Sequence, residues 1–257
     1  MWLAGIDEAG RGPCIGPLVV AIVAIPHSDL HLLDEQGIDD SKKMTYHQRL
    51  DSYNWLQQQA KERGWVIQSF SAAPGQIDNW MESHSLNELE VEMFANLANK
   101  MQDDIKSHGN DSTKSSDSNE NSILHLDACD VNEQRFGDNI ATRLDSWPWK
   151  NWEILSEHGA DANYKIVGAA SIIAKHERDL EIDKLKEKSG LDIGSGYPSD
   201  PKTIAVLPKL VSGSEPHEML RWAWKTTERS WQEIHDGNIP IRPHQTPLFK
   251  KKNLFDF

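Results

Sequence analysis

The sequence predicts an α/β fold: a mixed β-sheet with helices on both faces. Two observations predict it. Short apolar, strand-like runs are interleaved with longer amphipathic segments, and the first two strands follow one another across a Gly-rich segment too short to hold a helix. Trp2 to Ile6 and Pro17 to Ile25 read as those strands, joined by GRGPCIG. The second is apolar throughout, as a strand buried on both faces would be. Thr45 to Gly64 reads as a helix and Trp65 to Ser71 as a third strand. Ser85 with Glu88 makes a capping box for a further helix, whose Leu86, Leu89, Met93, Leu97 and Met101 keep one face apolar. Core packing accounts for that stripe without any functional role.

From Gln102 to Ser122 the chain becomes Ser-, Asp- and Asn-rich, with almost no apolar residue after Ile105. Such a segment cannot contribute to a core, so a disordered polar insertion is expected over 102–122. Ile123 to Ala128 reads as a fourth strand and Trp152 to Ser156 as a short fifth. Ala162 to Lys188 reads as a long helix closed by Gly190 in a left-handed cap. Asp200 and Pro201 supply the N-cap and first residue of another helix. No internal repeat is visible.

A chain of 257 residues, 38% of them hydrophobic, can bury a proper core, and one main domain with appendages is expected. No apolar run approaches the roughly eighteen residues of a membrane span, and the N-terminus enters a strand without a basic leader. A soluble, cytoplasmic monomer with no membrane partner is the expectation. Cys14 and Cys129 stand in unrelated contexts and give neither a disulfide framework nor a metal-ligand spacing. The net charge of −13 reads against a polyphosphate partner, so a nucleic-acid role must rest on local motifs.

Asp7 and Glu8 close the first strand, Asp127 closes the fourth, and Asp161 lies just before the long helix. Adjacent carboxylates at a strand end are ordinarily solvated. If the two strands are neighbours, however, the carboxylates converge at one edge, a costly arrangement unless divalent cations neutralise it. Hard oxygen ligands suit Mg²⁺ or Mn²⁺ rather than zinc. Competing readings fail on spacing. Gly10, Gly12 and Gly16 do not give the dinucleotide fingerprint, and the stretch from Asp127 has Asn132 where a calcium loop requires glycine. Cys129 reads as a small buried apolar residue rather than a nucleophile.

GIDEAGRGPCIGPLVVA (5–21) resembles the opening motif of the ribonuclease HII family. SKKM (41–44), LDACDVNEQRFG (126–137), ADANYKIVGAASIIAKHERD (160–179) and GSGYPSDPKT (194–203) follow in the family's order, the last in a form similar to the archaeal and eukaryotic branch. The resemblance covers roughly residues 1 to 231. Type HIII enzymes differ in carrying a preceding substrate-binding domain and usually a lysine at the position of Arg11, and type HI enzymes lack the DEAGRG string.

The resemblance implies a ribonuclease H-like fold with a central five-stranded mixed sheet and a small C-terminal helical part. The implied organisation is a catalytic domain over 1–190, a helical part over 191–235 and a flexible tail over 236–257. It also implies that Asp7, Glu8, Asp127 and Asp161 hold two divalent ions, and that hydrolysis leaves a 3′-hydroxyl and a 5′-phosphate. The substrates implied are RNA–DNA hybrids and duplex DNA carrying single ribonucleotides. Gly10, Arg11 and Gly12 match the family's motif for sensing the 2′-hydroxyl, and Tyr197 matches the tyrosine stacked on the following deoxyribose. Read alone, the glycines would be a tight turn and the tyrosine a loop anchor. Lys42, Lys43 and Lys175 are candidate phosphate contacts or, equally, solvated lysines. In the tail, Lys251, Leu254 and Phe257 are spaced like the short motif by which replication enzymes dock on the sliding clamp, although a lysine stands where glutamine is usual and a final aromatic is missing. The same apolar residues could instead fold back on the catalytic domain. Another nuclease of this fold and a catalytically silent hybrid-binding module are the alternatives; the second would be expected to lack one of the four carboxylates.

Overall fold

The computed structural model describes residues 1–38, 41, 43–108, 121–243 and 248–249. Five strands form one mixed sheet in the order β3-β2-β1-β4-β5. They are β1 (Trp2–Ala9), β2 (Leu18–Pro26), β3 (Val66–Ala72), β4 (Ser122–Asp127) and β5 (Trp152–Glu157). β1 pairs antiparallel with β2 and parallel with β4, which pairs parallel with β5. Every residue of β2 from Leu18 to Ile25 is buried, as its unbroken apolar run requires.

Two compact units divide the chain. The first comprises Met1–Ala9, Val19–Ser71 and Asn87–Arg178; the second comprises Gly10–Leu18, Ala72–Leu86 and the described residues from Asp179 on. In the first unit, Val19, Ala21, Val23 and Ile25 share a core with Leu33, Leu56 and Trp65 and with the apolar face of α7 (Lys165–Ser189). Gly5 makes that packing possible. A Cβ there would lie 2.6 Å from the carbonyl of Ile166, so α7 meets β1 at backbone distance.

Helix α2 (Tyr46–Arg63) starts at a Thr45–Gln48 capping box and stops at Gly64, φ 70°. Helix α4 (Leu86–His108) buries Leu89, Met93, Leu97 and Met101 as its periodicity demands. It also runs past the point where the composition turns polar. Ile105 extends the stripe, no Gly or Pro intervenes before residue 109, Gln102 is buried, and Asp104 accepts from Gln68 of β3. The structured part of the expected insertion therefore includes 102–108, while 109–120 lie outside the described residues. Ser122 already belongs to β4, its hydroxyl accepting from the Trp2 amide at 2.9 Å. The expected helix from Ala162 is two: α6 (Ala160–Asn163) and α7, separated by Tyr164 in an extended conformation and ended by Gly190, φ 65°.

The second unit has its own core, in which Cys14, Ile15, Ile193, Leu207, Leu220 and Trp231 pack together. It carries α3 (Pro74–Met81), α8 (Pro201–Leu210) and α9 (Lys225–Gln232). The Asp200 side chain caps α8 as its sequence position indicates. Among the described residues, no helix is long and apolar enough to cross a membrane.

Candidate active site

Asp7 and Glu8 are neighbours at the end of β1, and their side chains are close enough to interact directly. Asp7 joins Asp127 and Asp161, the three offering carboxylate oxygens within 4.8 Å of one another. The parallel register aligns Ile6 with Leu126, which brings the two strand-end aspartates side by side. Asp161 arrives from α6, whose first amide, that of Ala160, donates to Asp127 Oδ1 at 2.9 Å. The Glu8 amide in turn donates to Asp7 Oδ1 at 2.7 Å.

Glu8 itself lies in a second cluster with Glu90 of α4 and Cys129. The Cys129 thiol donates to Glu8 Oε2 at 3.1 Å. Behind Asp7, the Ser171 hydroxyl hydrogen-bonds to its carboxylate. Ser171 also pairs with the Ser41 hydroxyl at 2.8 Å, and the Lys175 ammonium bonds to Ser41.

The electrostatics follow from crowding like charges where water is scarce. Burial, then the Glu8 charge, push the Asp7 carboxyl up to about 8. Burial and the Glu90 charge push Glu8 up to about 7, and burial with the Asp7 and Asp161 charges pushes Asp127 up to about 7. Such a set of oxygen donors fits a hard divalent cation, whose charge would allow all of them to ionise together.

In the second unit, Gly10 takes φ 91° to open the Gly10–Gly12 turn. A Cβ built on Gly12 would touch the Tyr197 ring at 3.7 Å, so the turn and the tyrosine are neighbours. Tyr197 is 36% exposed. Its loop is pinned from several sides. The Gly196 carbonyl accepts from the amides of Cys14 and Ile15 at 3.0 and 3.2 Å, the Gly196 amide donates to Thr203 Oγ1 at 3.0 Å, and Asp200 accepts from Ser195 at 2.8 Å. Arg221, fully buried, donates to the carbonyls of Gly10, Arg11 and Gly16.

The family model described as Ribonuclease HII matches residues 4–227. This chain belongs to the ribonuclease HII family. A ribonuclease HII of Methanococcus maripaludis is 41% identical over 238 residues, covering 92% of this chain and 90% of the relative. The ribonuclease H2 of Pyrococcus horikoshii superposes with a TM-score of 0.72 at 34% identity, covering 91% of this chain and 99% of that one. Ribonuclease HII of Archaeoglobus fulgidus, solved as a complex with PCNA, gives 0.71 at 33%, covering 88% and 96%. Fold, family and archaeal likeness are therefore as the motifs implied, and family membership makes the chain an RNA–DNA hybrid endonuclease.

Of the expected ribonuclease HII residues, the structure gathers Asp7, Asp127 and Asp161 in one cluster and Glu8 in its neighbour. Lys43 is exposed before α2, and Lys175 is tied to Ser41 rather than extended to solvent. Lys42, Lys251, Leu254 and Phe257 lie outside the described residues. Sequence reasoning missed Glu90 and Arg221. Glu90 had a signal: it stands on the buried face of α4 with Phe94 and Leu97, where an acid is costly without a purpose. Arg221 had none, because its partners are backbone carbonyls.

Proposed function

We propose that the chain hydrolyses the RNA strand of hybrids and also cuts on the 5′ side of a lone ribonucleotide in duplex DNA, leaving a 3′-hydroxyl and a 5′-phosphate. One observation carries this reading: the Asp7, Asp127 and Asp161 oxygens converge within 4.8 Å in a chain that also sets Tyr197 against the Gly10–Gly12 turn. Asp7, Glu8, Asp127 and Asp161 would hold two Mg²⁺ or Mn²⁺ ions. When bound, these supply charge neutralisation at the scissile phosphate and an activated water. Asp127, fixed by the Ala160 amide, keeps its carboxylate aimed at Asp7 and Asp161. The turn lets backbone groups approach a ribose closely and engage its 2′-hydroxyl, the group that separates RNA from DNA. Tyr197 offers a ring face to the sugar that follows. The presence of all four carboxylates speaks against a silent binding module.

Product mapping on an end-labelled duplex with one ribonucleotide tests the reading. Incision at its 5′ side is expected in Mg²⁺ and in Mn²⁺, and Tyr197→Ala should lower it about tenfold. Cutting confined to long RNA tracts would refute it.

A second role is supported by the relative solved with PCNA. We propose that Lys251, Leu254 and Phe257 dock on the sliding clamp of the same organism, Leu254 and Phe257 entering an apolar pocket. Calorimetry should show affinity of about micromolar order, lost on removing the last seven residues. Equal binding by the truncated chain, or none by the full chain, rejects it.

A further inference from the structure

Arg242 lies beyond the residues matched by the family, in the polar, Pro-rich stretch after α9, yet it is only 6% exposed. We propose that Arg242, held by Asp78, is a positioning residue for the Gly10–Gly12 turn, acting through the Leu220–Trp224 segment and Arg221. The inference rests on the reading of that turn as the ribose sensor.

The chain of contacts lies wholly within the second unit. Arg221 donates from Nη2 to the Gly10 carbonyl at 2.6 Å, from Nη1 to Arg11 at 3.0 Å and from Nε to Gly16 at 2.9 Å, and its own amide donates to the Cys14 carbonyl at 2.8 Å. Trp224 lays its ring 4.7 Å from the guanidinium and reaches the Gly12 carbonyl from Nε1 at 3.3 Å. Three consecutive carbonyls, those of Gly10, Arg11 and Gly12, thus face Arg221 and Trp224. In a trans peptide the N–H points opposite to the C=O. Turning the carbonyls of Gly10 and Arg11 inward turns the amides of Arg11 and Gly12 outward, toward an incoming sugar hydroxyl.

Arg221 can do this only if its own backbone is fixed. Asp78, from α3, accepts from the Trp222 amide at 2.8 Å and the Ala223 amide at 3.1 Å. Arg242 donates to the carbonyls of Leu220 and, at 3.3 Å, Glu218, and stacks 4.3 Å over Trp222. The two side chains close on each other, Nε to Oδ2, at 3.0 Å. Between them they hold both edges of the segment that bears Arg221.

A buried ion pair is a poor source of stability, because stripping water from both charges offsets their attraction. The site shows that cost: burial pushes the Asp78 carboxyl up and the Arg242 guanidinium down, each against the pull of its partner. What the pair supplies is geometry, two acceptors and a planar fork of donors matched to four backbone groups. A misplacement of about 1 Å is enough to cost large factors in a positioned site.

The test compares kcat/KM on a duplex with one ribonucleotide and on a uniform RNA–DNA hybrid, for the wild-type chain, Arg242→Gln, Arg242→Lys and Asp78→Asn, with circular dichroism on each. A uniform hybrid offers many registers and tolerates a loosened turn, whereas a lone ribose offers one. Arg242→Gln and Asp78→Asn should lower the single-ribonucleotide value about tenfold relative to the hybrid value, mainly in KM. Arg242→Lys, which keeps the charge without the fork, should restore part of the ratio. A merely structural role lowers both substrates by the same factor, and an unchanged ratio overturns the proposal. If Arg242→Gln does not fold, Arg242→Lys decides on the same ratio. A wild-type chain that fails to cut at the lone ribonucleotide overturns the sensor reading itself, an outcome separate from any variant.

Discussion

The carboxylate centre and the Gly10–Gly12 turn differ in how their polar groups are answered. At the strand ends of the first unit, Asp7, Glu8, Asp127, Asp161 and Glu90 bring like charges together, and three of those carboxyls are held far above their ordinary range. In the second unit, the carbonyls of the turn meet the donors of Arg221 and Trp224. The first arrangement is built to be completed by something positive from outside. The second is complete within itself and so can be rigid before substrate arrives. Binding a cation and reading a sugar call for these opposite designs: strain that a ligand relieves, and preorganisation that a ligand does not disturb.

Asp127→Asn gives the largest break of this comparison. Removing one charge from the incomplete centre should lower hydrolysis on the order of 10²–10³-fold, the scale of losing one electrostatic stabiliser of a transition state. Hybrid binding, measured by anisotropy in the same buffer, should change little. Full turnover in Mg²⁺ by the purified variant would remove Asp127 from the centre.

A smaller effect sharpens the same point through pH. Carboxyls raised to about 8 for Asp7 and about 7 for Glu8 and Asp127 mean that the folded chain without metal holds protons the unfolded chain has released. Their stabilisation is full below about pH 4 and is lost as pH rises toward about 8, so the melting temperature of the metal-free chain should fall across that window, other groups held equal. Mg²⁺ or Mn²⁺ should raise it by several degrees, roughly the response to 1 kcal/mol, at about pH 8 and much less at about pH 5.5. Thermal unfolding in matched ionic strength checks this, and a metal effect independent of pH contradicts it.

The smallest effect concerns the polar insertion. Deleting 109–120 with a short Gly-Ser bridge should leave hydrolysis within about twofold and the melting temperature within about 4 °C, since its composition, without a hydrophobic side chain, gives it nothing to add to a core. Extending the deletion back to 102 removes buried Gln102 and the Asp104 contact to β3. That longer deletion should cost measurable stability, and equal behaviour of the two would show that the last turns of α4 contribute nothing.

Much of the first unit was legible because its signals are local. The unbroken apolar run of β2, the Thr45 and Gly64 caps of α2, and acids that terminate apolar strands all declare themselves within a few residues. The convergence of Asp7, Asp127 and Asp161 follows from the same signal, whereas the grouping of Glu8 with Glu90 and Cys129 does not. The supports of the turn were not legible. Asp78 meets the Trp222 amide across 144 positions, and a backbone acceptor or donor has no residue identity for a pattern to detect. The short α3 and α9 lack the length over which periodicity accumulates, and the stretch around Arg242 carries the composition of a linker.

The position of Asp7 and Glu8 at the end of β1 also bears on how that strand can evolve. Eight consecutive residue pairs tie it to β2 on one side, and its parallel register to β4 on the other admits no slack. Gaining a single residue ahead of Asp7 would reverse the side to which each acid's Cβ points and set Ile6 where Asp7 stands. Substitutions can be sampled one at a time along this strand. Changes of length cannot, and descendants of this sequence should vary in the 109–120 region and the tail while keeping the spacing from Trp2 to Glu8 fixed.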